Sequence, residues 1–236
     1  GLAAYEEEDA PLFFGRSTLT EKLLSRMREG REVHGGFLGI VGASGSGKSS
    51  LVRAGLLPAL RSAGAHGAGK AIALLTPSVH PLESLAEALL GTQSEESRLL
   101  ASSLADSPAA LRKWQQESAA GGRVIVVDQF EEVFTLCQEE PQRQAFIENL
   151  LNACEPGQSS TQGSACVILT LRADYYAQCA RYAKLREALA RNQEYIGPMN
   201  ATELREAIEK PAAMGGWEIE PDLVDLLLRD AGHEAG

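Results

Sequence analysis

The chain lacks any apolar run near the ~20 residues a membrane-spanning helix needs, and it opens with no signal-peptide pattern. Cysteine is scarce. Cys137, Cys154, Cys166 and Cys179 stand far apart and form no C-x-x-C pair, which argues against a metal site or a disulfide framework and for reduced thiols. His34, His66, His80 and His233 are equally isolated and read as loop or surface residues. Positive charge is in deficit: 22 Lys and Arg face 32 Asp and Glu, a net charge of −10. With the basic residues scattered as well, the charge argues against a general nucleic-acid surface. What is present suits a globular protein, 44% hydrophobic and 23% charged over 236 residues, enough for one large domain or one and a half. A cytoplasmic location is expected. Because it begins at Gly1 and not Met, the sequence is expected to be a piece of a longer chain.

The most informative stretch is Gly42-Ala43-Ser44-Gly45-Ser46-Gly47-Lys48-Ser49, an ungapped match to G-x-x-x-x-G-K-[ST]. A nucleoside triphosphate is a compact polyanion. Glycines let the backbone curl so that successive N–H groups point at the phosphates, a lysine reaches the β- and γ-phosphates, and the final hydroxyl can ligate Mg²⁺. The context is the one the motif requires. A short apolar run, residues 37–41, precedes it, and Ser49-Ser50-Leu51-Val52-Arg53 opens a helical pattern, so phosphates would meet a helix N-terminus. The competing reading is a Gly/Ser turn with an incidental lysine.

Strand and helix then alternate. Residues 71–75, 124–128 and 167–171 are Val/Ile/Leu/Ala runs of buried-strand type, and residues 194–196 make a last short strand. Helices are expected over 49–57, ended or kinked at Pro58, and over 81–90, 95–105, 108–119, 131–137 and 141–153. Pro108 is placed in a first turn. Residues 63–70 and 156–164 read as loops. Such alternation means an α/β fold with a parallel sheet covered on both faces. Beyond Pro198 the pattern becomes helical only: Asn200 and Glu203 make a capping pair for 201–209, and Pro221 starts 222–230, ended by Gly232. The boundary is therefore set at 199/200, with a nucleotide-binding domain over 1–199 and the start of a helical lid over 200–236.

Asp128 ends a buried strand, where open α/β sheets bind ligands. Beside a phosphate loop it reads as the carboxylate that holds Mg²⁺. Glu131 and Glu132 follow within a turn, and one of them would position or deprotonate water; Glu131 is preferred, with Glu132 in reserve. The alternative for either is an acidic helix start favoured by the macrodipole. Arg172 closes Thr170-Leu171-Arg172 and could sense a γ-phosphate, against the alternative of a surface pair with Asp174.

Phe13-Phe14-Gly15-Arg16, GASGSGKSS followed by LVRAGLLPAL, VVDQFEEVFTLC, LTLRADYY and GPMNATELREAIEKPA occur in this order. Together they resemble the prokaryotic novel STAND NTPases, signalling ATPases related to the NACHT and NB-ARC switches. The resemblance covers nearly the whole chain. It implies an ASCE-type P-loop fold with strand order 5-1-4-3-2, an extended Walker B segment over Asp128-Gln129-Phe130-Glu131-Glu132, and Arg172 as the sensor arginine. It also implies that Phe14, Gly15 and Arg16, with Pro198, lie on the adenine side, although a hydrophobic latch of the N-terminal segment remains open as their role. By the same resemblance, the later lid, winged-helix and sensor parts of that family are expected beyond Gly236. An effector domain is likewise expected before Gly1.

The resulting expectation is a slow regulatory ATPase that binds ATP or ADP with Mg²⁺ and controls self-association in the ATP state of a longer protein. The nucleotide would be held by Gly42, Ala43, Ser44, Gly45, Ser46, Gly47, Lys48, Ser49 and Ser50. Rivals are an AAA-type ATPase acting on nucleic acid, disfavoured by charge, and a nucleotide-binding scaffold without turnover. A small-molecule kinase lacks support, because no Arg-rich lid or acceptor pocket is legible. The patterns N-K-x-D and L-S-G-G-Q are absent.

Overall fold

The computed structural model describes residues 3–33, 36–62, 71–118, 123–155 and 165–234. The loops expected over 63–70 and 156–164 lie outside the described residues. Five strands form one sheet: β1 (Phe37–Gly42), β2 (Ile72–Leu75), β3 (Val124–Val127), β4 (Cys166–Arg172) and β5 (Gln193–Ile196). Their order is β2-β3-β4-β1-β5, the 5-1-4-3-2 arrangement read from the other edge. β1 and β3 each run parallel to β4, and β2 runs parallel to β3. The central strands are apolar because both their faces are covered, so β1 and β3 are buried at every residue and β4 at all but Arg172. On one face Ile125, Val127, Val167, Leu169 and Leu171 pack in a core with Leu85, Leu104, Phe146 and Leu150 of the flanking helices. β2 and β5, at the edges, are only partly buried.

The chain divides into two compact units. The larger comprises Ser25–Ser44 and His66–Tyr195 and holds nearly all of the sheet. The smaller comprises Gly1–Leu24, Gly45–Ala65 and Ile196–Gly236. It is built from a 3-10 helix at Glu7–Leu12, the start of the helix Ser17–Val33, the helix after the phosphate loop, and the helices Ala201–Met214 and Pro221–Glu234. A compactness division thus groups the residues after 199 with the N-terminal segment and the phosphate-loop helix, whereas the 199/200 boundary marks a change of pattern along the sequence.

Several expected elements need correction. Pro58 neither ends nor breaks its helix, which continues through Leu57–Ser62. Over Leu51–Leu56 the turn instead widens to π geometry, and the Leu57 N–H reaches the carbonyl of Val52. The wider turn makes room for a ring that would otherwise press on the preceding turn and for a residue with no N–H to donate. Pro108 lies ahead of its helix, Ala110–Glu117, and its carbonyl accepts from Asn152 Nδ2 at 2.7 Å. Gly232 falls inside Pro221–Glu234. The helices Ser17–Val33, Tyr176–Cys179 and Ala183–Arg191 were not anticipated. Their apolar stripes are thin: Leu23 and Met27 are buried in the first, and Leu185 and Leu189 in the third. A pair at i, i+4 gives little periodicity to detect.

Candidate nucleotide-binding site

β1 delivers the chain to Gly42, and the loop turns back through two left-handed glycines, Gly45 at φ +74° and Gly47 at φ +83°. A Cβ at either would meet no atom within 4 Å. The glycines are therefore required by backbone conformation, not by packing. Ala43, Ser44 and Gly45 are exposed, while Lys48 is only 8% exposed with Nζ 3.4 Å from Ser46 Oγ. Helix begins at Lys48, where the Leu51 N–H donates to the Gly47 carbonyl at 2.8 Å. Ser49 and Ser50 occupy its first turn, and the Ser50 hydroxyl accepts the Tyr5 N–H at 3.1 Å.

In the larger unit, the end of the sheet from which Gly42 emerges also carries the acidic cluster. Gly42 is paired with Arg172 of β4, and β4 pairs with β3, which ends one residue before Asp128. Asp128 is 0% exposed. Its Oδ1 accepts from Thr170 Oγ1 at 2.7 Å and from the Gln129 N–H at 3.1 Å. That N–H is shared with Thr170 Oγ1 at 2.8 Å, and Gln129 adopts φ +54°, a conformation uncommon outside glycine. The chain thus turns sharply to lay the carboxylate against Thr170. Glu131 is 6% exposed and accepts the Arg172 N–H through Oε2 at 3.2 Å, across the strand ends. Glu132 instead accepts from Thr135 Oγ1 at 2.8 Å within its own short helix. The two glutamates therefore occupy different environments, and Glu131 is the one bonded to the end of a central strand.

Arg172 points its guanidinium at Asp174: Nε donates to Oδ1 at 3.1 Å and Nη2 to Oδ2 at 2.7 Å. The Tyr175 ring centroid lies 5.4 Å from the guanidinium carbon. Hydrogen bonding to Asp174 raises the Arg172 pKa further above its ordinary value. The surface pair anticipated as the alternative role is thus present.

Of the expected adenine-side residues, Phe14, Gly15 and Arg16 contact elements of the smaller unit. Arg16 is 7% exposed, donates to the Gly197 carbonyl at 2.8 Å, and has Nη1 3.5 Å from Glu203 Oε2. Burial lowers its pKa, and the Glu203 carboxylate opposes that shift. Gly15, at φ +82°, passes so close to the Glu203 carbonyl that a Cβ would collide with it. Phe14 faces Lys210 at 5.8 Å, and Phe13 packs against Tyr5 at 5.7 Å. Glu203 also completes the capping box with Asn200, as the sequence predicts. Pro198 is exposed. These contacts clasp the N-terminal segment to the start of the helix Ala201–Met214, and most of them are polar.

Oxygen donors dominate the expected metal positions, the Ser49 hydroxyl and the Asp128 carboxylate, and this donor chemistry fits Mg²⁺. Among the described residues no group of three or more His, Cys, Asp and Glu could hold a metal ion. The sequence alone gave no sign that Thr170 and Gln129 hold the Asp128 carboxylate. A threonine in an otherwise apolar strand, Val167-Ile168-Leu169-Thr170-Leu171, was the available signal for the first.

The sequence pattern of the novel STAND NTPase 1 family matches residues 1–236. The chain belongs to that family. It is accordingly a nucleotide-binding NTPase with an α/β P-loop fold. No curated protein matches the sequence. Among solved structures, the ORC2 protein of Aeropyrum pernix, in ADPNP and ADP complexes, is similar at a TM-score of 0.58 and 15% identity, over 84% of this chain and 52% of that one. Drosophila ORC bound to DNA gives 0.47 and 17%, over 90% and 48%. The first likeness shows the fold, and the second lies too low to add to it. The chain spans about half the length of these solved structures. Among the described residues no helix is long and apolar enough to cross a membrane.

Proposed function

We propose that the chain is the ATP-binding and slowly hydrolysing core of a regulatory switch in a signalling or defence protein, whose nucleotide state controls assembly of the longer protein. One observation carries the chemistry: a wholly buried Asp128 and a buried Glu131 stand at the sheet end that launches the phosphate loop. In this reading the backbone N–H groups of residues 42–50 and the Lys48 ammonium bind the phosphates. Ser49 and Asp128 hold Mg²⁺, which when bound neutralises charge on the β- and γ-phosphates. Glu131 orients the attacking water and accepts its proton. Arg172 contacts the γ-phosphate and so distinguishes ATP from ADP. Phe14, Gly15, Arg16 and Pro198 serve the adenine side, with the Arg16 clasp joining that segment to the helix Ala201–Met214.

The switch resides in the residues after 199, read as a lid. A ligand shifts a conformational equilibrium only through contacts that differ between states. Hydrogen exchange over residues 200–230 is therefore expected to differ between the ADP state and a non-hydrolysable ATP state. Identical exchange, with both nucleotides shown to be bound, would reduce the chain to a static nucleotide-binding domain. ATP-dependent self-association, measured by light scattering on the longer protein, is the second readout.

A further inference from the structure

Asp174 holds Arg172 in the geometry a phosphate would use. Two parallel N–H···O bonds join the guanidinium and carboxylate planes, the fork arrangement that arginine offers equally to carboxylates and phosphates. The two residues are separated only by Ala173, and a 3-10 turn over Ala173–Tyr175 folds Asp174 back onto the arginine. The same turn brings the Tyr175 ring to the guanidinium. Both partners are partly exposed, at 38% and 55% of their side-chain surface, so the pair is open to exchange with a soluble anion. The Arg172 backbone is meanwhile fixed, since its N–H is bound to Glu131 and its residue pairs with Gly42 at the root of the phosphate loop. The backbone is anchored while the side chain is held by a replaceable carboxylate.

From this arrangement we infer that Asp174 is an internal competitor of the γ-phosphate for Arg172, a positioning residue that sets the ATP-over-ADP preference of the site. The inference rests on the reading of Arg172 as the γ-phosphate contact. With ADP, the guanidinium stays on Asp174. With ATP, it exchanges one fork partner for another, and the lost carboxylate pair is subtracted from the gain. Charge counts are unchanged by the exchange, because the Asp174 carboxylate keeps its charge. An exposed ion pair is weak, so the subtraction is small, on the order of a two- to five-fold change in affinity. A modest penalty of this kind keeps the two nucleotides closer in affinity than an unopposed arginine would.

The test is calorimetric titration of the chain with Mg²⁺ and either ADP or a non-hydrolysable ATP analogue. Asp174→Asn is expected to tighten analogue binding about two- to five-fold, leave ADP unchanged, and lose its effect as salt is raised. Asp174→Glu, which retains the charge, should restore much of the wild-type ratio. In an Arg172→Ala background, Asp174→Asn should do nothing to the ratio. Equal shifts for both nucleotides, or the same shift without Arg172, would overturn the inference. If Arg172→Ala alone leaves the ATP-to-ADP ratio unchanged, the sensor reading itself fails. If Arg172→Ala changes the ratio and Asp174→Asn does not, only the competitor role of Asp174 falls.

Discussion

Replacing Thr170 by valine should separate the support of Asp128 from the carboxylate itself. The hydroxyl is buried at 1% exposure and makes two bonds, donating to Asp128 Oδ1 at 2.7 Å and accepting from the Gln129 N–H at 2.8 Å. Valine keeps the shape and loses both. A hydrogen bond to a charged group contributes about 1.5–3 kcal/mol. The second loss is partial, because the Gln129 N–H retains Asp128 Oδ1 at 3.1 Å. A buried methyl in place of the hydroxyl returns up to about 0.8 kcal/mol. The balance is a destabilisation of about 2 kcal/mol, or roughly 4–8 °C in Tm for a chain of this size. Urea unfolding would read the stability, and Mg²⁺-ATP titration would read the site. Binding should weaken as well, since the carboxylate loses the group that fixes its orientation. Thr170→Ser, which retains the hydroxyl, should recover most of both. A Thr170→Val protein within about 0.5 kcal/mol of wild type, the range of inconsequential surface changes, would show that Thr170 does not hold Asp128.

Three further outcomes are expected. Lys48→Ala should abolish Mg²⁺-dependent binding of ATP and ADP, and with it the gain of ~3 kcal/mol that a hundredfold excess of ligand over Kd confers on wild type; equal thermal shifts for both proteins would contradict this. Glu131→Gln should keep nucleotide binding and stop phosphate release in a turnover assay, whereas Glu132→Gln, altering a residue engaged with Thr135, should hydrolyse ATP at close to the wild-type rate; the reverse pattern would transfer the role to Glu132. Arg16→Ala should loosen the start of the helix Ala201–Met214, because the Gly197 carbonyl loses a charge-assisted donor. The cost is about 1–3 kcal/mol. It should appear as faster hydrogen exchange and proteolysis around residues 197–205, and unchanged protection there would mean the clasp is dispensable.

Local signals carried the parts of this protein that short segments can specify alone. The phosphate loop was readable because its glycines answer a backbone demand, positive φ, that no other residue type meets as cheaply. Buried strands were readable because a strand covered on both faces must be apolar throughout, as residues 37–41 and 124–127 are. The Asn200–Glu203 capping box is likewise local, its two bonds spanning only three residues. Strand order followed from the family resemblance, which composition and periodicity could not have supplied. Helices with thin apolar stripes escaped notice, since their burial depends on what packs against them. The bonds of the site were decided by tertiary structure alone. Thr170 meets Asp128 across 42 positions of sequence and Glu131 meets the Arg172 N–H across 41, through parallel strands that bring distant ends together. Arg16 reaches Gly197 across 181. No periodicity encodes such pairs, because hydrogen-bond geometry between remote residues exists only once the chain has folded.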